Sequence, residues 1–173
     1  MEEIELTFLP KSLPAGVLTS SSKVMLDIYL PASIDHPHLR IRHSGDKYEI
    51  TKKVPVQEGD KSHHIENTIP LTVEEFADLN QLPGKRVEKT RYLYEEGGNK
   101  YEVDVFKGDL TGLVLVDIEF NSLADKAKFQ MPDWCLVEVT QEEFIAGGML
   151  CGKSYQDIEE QLKRFSYSKL SVG

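Results

Sequence analysis

Glu3-Ile4-Glu5-Leu6-Thr7-Phe8 alternates polar and apolar residues at every step. Successive side chains of a strand point to opposite faces, so this stretch predicts a β-strand with Glu3, Glu5 and Thr7 on one side and Ile4, Leu6 and Phe8 on the other. The same period recurs along the chain. Leu39-Arg40-Ile41-Arg42, a turn at Ser44-Gly45-Asp46, and a run from Tyr48 to Lys53 together predict a hairpin. Val24 to Leu30, stopped by Pro31, reads as another strand. So do His64 to Ile69, Val87 to Tyr94, Tyr101 to Phe106, Leu113 to Phe120 and Leu136 to Val139, with Glu96-Gly97-Gly98-Asn99 turning between two of them.

Helical signals sit between the strands. Thr72 with Glu75 and Thr140 with Glu143 each have the spacing of a capping box, predicting a helix after each. Ser122 is placed to cap a short helix running to Phe129. Ser154 is placed to cap a last helix, with Tyr155, Ile158, Leu162 and Phe165 on one stripe. Many short strands and few helices point to a sheet-rich α+β fold, with barrel closure as one way to satisfy it.

The chain has 173 residues, which fits one domain over 1–173. Its formal net charge of −9 disfavours nucleic acid or an anionic membrane as a partner. The apolar run Leu113 to Val116 is far shorter than the roughly 20 residues that span a bilayer. The acidic start MEEIEL lacks the features of a signal peptide. Cys135 and Cys151 cannot form a disulfide framework, so a cytoplasmic location is expected.

The charges alternate too. Glu3 and Glu5 share a strand face, as do Arg40 and Arg42, Lys89 and Arg91, Glu102 and Asp104, and Asp117 and Glu119; Lys53 and Glu66 join them from two further strands. Each pair is of one sign, and each opposite face is apolar. If helices cover the apolar faces, the charged faces line an interior. The seven carboxylates and five cations leave a small negative surplus that two divalent ions would reverse. Arg grips phosphate through a planar fork, Lys as a point charge, and carboxylate oxygens suit Mg²⁺ or Mn²⁺.

These residues resemble the CYTH superfamily, the triphosphate tunnel metalloenzymes, over nearly the whole chain. The family's opening ExExK strand is similar to Glu3-Ile-Glu5-Leu-Thr7; its basic strands to LRIRHSGDKYEITKK (Arg40, Arg42, Lys53) and VEKTRY (Lys89, Arg91); its acidic strands to YEVDVFKG (Glu102, Asp104) and LVLVDIEF (Asp117, Glu119). Pro132-Asp133-Trp134 and Glu138-Val139-Thr140 also agree.

The resemblance implies an eight-stranded antiparallel β-barrel, the triphosphate tunnel, with helices packed on the outside. It implies metal-dependent hydrolysis of inorganic triphosphate or a small organic triphosphate, with class IV adenylate cyclase or a non-hydrolytic binding module as alternatives. Arg40, Arg42, Lys53, Lys89 and Arg91 would bind the phosphates. Glu3, Glu5, Glu66, Glu102, Asp104, Asp117 and Glu119 would hold Mg²⁺ or Mn²⁺, and Lys53, Glu5 and Glu66 would be catalytic. A homodimer is left open. The chain departs from the pattern where Thr7 replaces the ExExK lysine, where His64 replaces a carboxylate beside Glu66, and where Ile145-Ala-Gly-Gly148 replaces a segment with a lysine and an asparagine.

Gly147 to Ser154 matches the P-loop spacing but follows no strand of a parallel sheet, so helix end, turn and cap is the reading, with the double glycine stopping a helix. His36, His38, His43 and His63 are expected on loops or the surface, His64 at a lining position. Both cysteines and Trp134 are expected in packing roles.

Overall fold

The computed structural model describes residues 1–172. Nine strands form in chain order: β1 (Glu2–Pro10), β2 (Ser21–Leu30), β3 (Leu39–Ser44), β4 (Lys47–Pro55), β5 (His63–Pro70), β6 (Lys85–Glu96), β7 (Asn99–Phe106), β8 (Val114–Phe120) and β9 (Cys135–Glu138). Four α-helices join them: α1 (Val73–Leu79), α2 (Leu123–Lys128), α3 (Gly147–Leu150) and α4 (Tyr155–Lys163). Among the described residues no helix is long and apolar enough to cross a membrane.

The strands run in the order β5-β4-β3-β2-β6-β7-β8-β1-β9, and β5 also pairs with β1. That extra pairing closes strands β1 to β8 into an antiparallel barrel, as expected. β9 stands outside the ring, on the far part of the β1 edge that β5 leaves free: β5 meets Glu2 to Ile4, and β9 meets Phe8 to Pro10. The tight turns fall at glycines with left-handed backbone. Gly45 has φ 63° between β3 and β4, and Gly97 and Gly98 have φ 59° and 81° between β6 and β7.

Closure sorts the two faces. Leu6 and Phe8 of β1, Tyr101, Val103 and Val105 of β7 and Val114, Val116 and Ile118 of β8 form an outer cluster with Phe129 and Trp134. α1 covers Ile28 and Ile41 through Phe76. The caps of α1, α2 and α4 form where expected, with Thr72, Ser122 and Ser154 at the N-caps. The third cluster lies over one end of the barrel. Phe144, Ile145 and Leu150, together with Tyr155, Ile158 and Leu162 of α4, pack with the inward-pointing Tyr29, Val87, Phe106 and Leu115.

Two expectations fail locally. Thr140 caps no helix: its hydroxyl accepts the backbone N–H of Thr7 at 3.0 Å, and only a 3₁₀ turn over Glu143–Ile145 follows. A long-range bond to β1 outcompetes the local box. Gly147 and Gly148 open α3 rather than end a helix. Their role is close approach, because a methyl at Gly147 would run into the Tyr29 hydroxyl and one at Gly148 into the Pro37 carbonyl. The P-loop spacing over these residues stands on α3, a turn and α4, with the antiparallel β9 before it.

Gly147→Ala is therefore expected to displace α3 from Tyr29 and cost on the order of 1–3 kcal/mol, read by urea unfolding. An unchanged unfolding midpoint would show that the end cluster yields freely.

Candidate active site in the barrel interior

Alternate residues of every barrel strand project inward around a cavity of about 830 Å³. Its lining includes every sequence-predicted site residue: Glu3, Glu5, Arg40, Arg42, Lys53, Glu66, Lys89, Arg91, Glu102, Asp104, Asp117 and Glu119. The barrel thus brings together residues spread over 117 positions of chain, and it does so by register. Glu5 lies opposite Glu119, Thr7 opposite Asp117, and Glu102 opposite Asp117 on its other side. Acidic β7, β8 and β1 are neighbours and form one continuous acid wall.

Cations from flanking strands lean onto that wall. Arg91 of β6 donates to Asp104 from Nε and Nη2, both at 2.6 Å, pairs with Glu102 through Nη1, and comes within 3.4 Å of Asp117. Lys89 pairs with Asp104. Burial alone would raise the Asp104 pKa, but Arg91 and Lys89 outweigh it and hold this carboxyl at about 2. Across the cavity, Lys53 of β4 ion-pairs with Glu3 and lies 3.5 Å from Glu5 and 3.7 Å from Glu66. Thr68 donates to Glu66 at 2.7 Å, and Arg40 is 3.9 Å from it. The Nε of Arg40 is buried with no hydrogen-bond partner among the described residues.

Asp117 is the strained member of the wall. Burial, then the charges of Asp104 and Glu5, push its pKa up to about 7. The Thr7 hydroxyl donates to it at 2.8 Å, so Thr7 gives this acid a neutral donor where the family pattern has an ammonium. Burial and the neighbouring acids also raise Glu119 and Glu3. Among the described residues, one group has metal-ligating atoms mutually within 4.8 Å: Glu3, Glu5 and His64.

Several cavity residues escaped sequence reading. Asp27 is almost fully buried and receives a two-point pair from Arg42, Nε at 2.6 Å and Nη2 at 2.7 Å. Its signal was an isolated acid in the apolar run VMLDIYL. Glu49 lies inward two residues from Thr51 and four from Lys53, a parity visible in the sequence. Tyr29, Thr140, Glu142 and Glu143 also line the cavity, as do His36 and His38, which were expected to be peripheral. His36 bonds Glu143 at 3.1 Å and its ring lies 4.4 Å from that of His38. His43 packs on Tyr48 and Phe76, and His63 lies 3.7 Å from Glu2. Cys135 and Cys151 are buried, and burial raises their thiols to about 12 and about 11.

No protein-family model matches the chain. The chain is 37% identical over 145 residues to an inorganic triphosphatase of Nitrosomonas europaea, covering 83% of this chain and 92% of that protein. The chain belongs to the CYTH family. An inorganic triphosphatase of Acetivibrio thermocellus is 32% identical to this CYTH chain over 165 residues, 92% of it and 99% of the relative. The crystal structure of the inorganic triphosphatase NE1496 superposes with a TM-score of 0.63 at 32% identity, covering 87% of this chain and 95% of that one. A putative adenylate cyclase from Bacillus halodurans has a TM-score of 0.54 at 15% identity over 99% of this chain and 93% of its own, a likeness of fold alone.

The raised Asp117 pKa has a stability consequence. The folded state holds this proton more tightly than the unfolded chain, whose ordinary value is 3.8. The resulting stabilisation is complete below that value and is lost as pH rises through about 7. Without divalent ions, Asp117→Asn is therefore expected to melt higher than the parent at pH 8, with the gap narrowing by pH 5. Equal melting temperatures at both pH values would refute it.

Proposed function

We propose that this chain hydrolyses inorganic triphosphate, or a small organic triphosphate, inside the barrel with the help of a divalent cation. One observation carries the reading: five Lys and Arg side chains and a continuous carboxylate wall face a single cavity, and a buried guanidinium nitrogen there has no partner among the described residues. The inorganic triphosphatases among its relatives support the same chemical class.

Arg40, Arg42, Lys53, Lys89 and Arg91 bind the phosphate chain. Arg42 keeps two of its nitrogens on Asp27, leaving Nη1 for an oxygen of the substrate. Glu3, Glu5, Glu66, Glu102, Asp104, Asp117 and Glu119 hold the cation. Their fit to a divalent ion lies in the crowding of carboxylates that raises Asp117, and in the Glu3–Glu5–His64 donor group. When bound, Mg²⁺ or Mn²⁺ would neutralise phosphate oxygens and help orient water. Glu5 or Glu66 accepts the proton of the attacking water as its oxygen bonds the terminal phosphorus and the bridging P–O bond breaks. Lys53, whose ammonium lies among Glu3, Glu5 and Glu66, moves from these acids to the phosphate chain when the cation takes its place, and there neutralises the leaving oxygen. The products are orthophosphate and a chain shorter by one phosphate. Two buried free thiols fit a reducing cytoplasm.

Phosphate release from tripolyphosphate, ATP and thiamine triphosphate, each with Mg²⁺ or Mn²⁺, tests the proposal. Release from at least one is expected, and Lys53→Ala is expected to lower kcat/KM by roughly 10²-fold or more. No release from any of them would overturn hydrolysis, and cyclic AMP from ATP would favour the cyclase alternative. One observation favours the non-hydrolytic alternative: Thr7 places a neutral hydroxyl on Asp117. Thr7→Lys would put an ammonium there, and a rise in turnover, most marked below pH 7, is expected from the lowered Asp117 pKa.

A further inference from the structure

Where β5 closes onto β1, Glu3 lies directly opposite His64. The alternation of β1 puts Glu5 on the same face. The ligating atoms of these three residues lie within 4.8 Å of one another, and His64 Nδ1 is 4.0 Å from Glu5 Oε1. Nδ1 is buried and has no hydrogen-bond partner among the described residues. An imidazole nitrogen left so costs free energy unless something takes it up. The neighbouring His63 lies by Glu2, so a single imidazole reaches this group.

We propose that His64 is a nitrogen ligand, beside Glu3 and Glu5, to the divalent cation, and that it turns the site away from Mg²⁺ towards ions that accept a nitrogen donor more readily, Mn²⁺ and more strongly Co²⁺ or Zn²⁺. The inference rests on the reading that this cavity holds a divalent cation. Two donors on one ion with bonds of about 2.0–2.2 Å lie at most about 4.4 Å apart, so the group needs to contract only slightly. Lys53 already marks the place as one for positive charge, since its ammonium spans Glu3, Glu5 and Glu66. Its four-carbon stem is flexible and can withdraw to a phosphate when a metal arrives. The selectivity follows from ligand chemistry. Imidazole suits the later first-row ions, whereas Mg²⁺ demands oxygen donors and retains its waters. A carboxylate at this position, the residue the family pattern implies, would give Mg²⁺ an all-oxygen set.

Pulsed EPR of the full chain loaded with Mn²⁺ reads the bond directly. Modulation from a directly bound ¹⁴N is expected in the parent and absent in His64→Gln. Calorimetric titration with Mn²⁺ and with Mg²⁺ is expected to show their affinity ratio falling in His64→Gln by on the order of tenfold or more, at least what losing an outer partner of a metal ligand costs. His64→Asp is expected to bind Mg²⁺ more tightly than the parent does. Absence of ¹⁴N modulation in the parent, or an unchanged Mn²⁺/Mg²⁺ ratio in both variants, overturns the inference. The hydrolysis reading fails separately. Phosphate release with Mg²⁺ from a parent without ¹⁴N modulation leaves hydrolysis standing and sinks His64, whereas ¹⁴N modulation without phosphate release does the reverse.

Discussion

The pairing of β5 with β1 is the contact on which the rest depends. It comprises the register Glu2 to Ile4 against Ile65 to His63, extended by Glu5 N–H donating to the Ser62 carbonyl at 3.0 Å and Glu66 N–H to the Met1 carbonyl at 2.8 Å. Without it the same strands would form an open sheet, and the alternating charges would be a solvated face like many others. With it, Asp104, Asp27 and Arg42 become buried, and their attractions and repulsions act through protein rather than water.

Closure also creates a conflict. Like charges directly opposite on neighbouring strands oppose pairing, yet Glu5 faces Glu119 and Glu102 faces Asp117. A sequence optimised for the barrel alone would not carry this acid wall. The barrel tolerates it because Arg91 reaches three of its acids from β6, Lys53 draws Glu3 and Glu5 from β4, and a proton settles on Asp117 near neutrality. Local rules are broken here and satisfied elsewhere, the signature of a site rather than of a scaffold.

Much of this was legible because it is periodic. Most barrel strands announced themselves by two-residue alternation, which put all twelve expected site residues on inward faces, whereas β2 read as a strand from an apolar run stopped by Pro31. Thr72, Ser122 and Ser154 gave their helices away through local capping chemistry. What stayed hidden depends on contacts between distant segments. Nothing near Thr140 says that its hydroxyl will meet the Thr7 amide 133 positions away. Nothing near Gly147 reveals that Tyr29 will lie against it. His36 and His38 reach the cavity from a loop, where strand parity has no meaning. Asp27 is intermediate: its isolation in an apolar strand demands a partner, but only the register of β2 against β3 names Arg42.

The outer cover of the barrel is uneven. β1, β7 and β8 are backed by the aromatic cluster that includes Phe129 and Trp134. Val54 of β4 and Ile65 and Ile69 of β5 are instead 45%, 44% and 63% exposed. The acid wall therefore rests on a stiff backing, while Lys53, His64 and Glu66 ride on a part of the ring with little behind it. Segments with few buried apolar contacts open and shift at low cost in free energy. The barrel is built less like a uniform pipe than like a vice with one braced jaw, and the lightly braced jaw carries Lys53, His64 and Glu66.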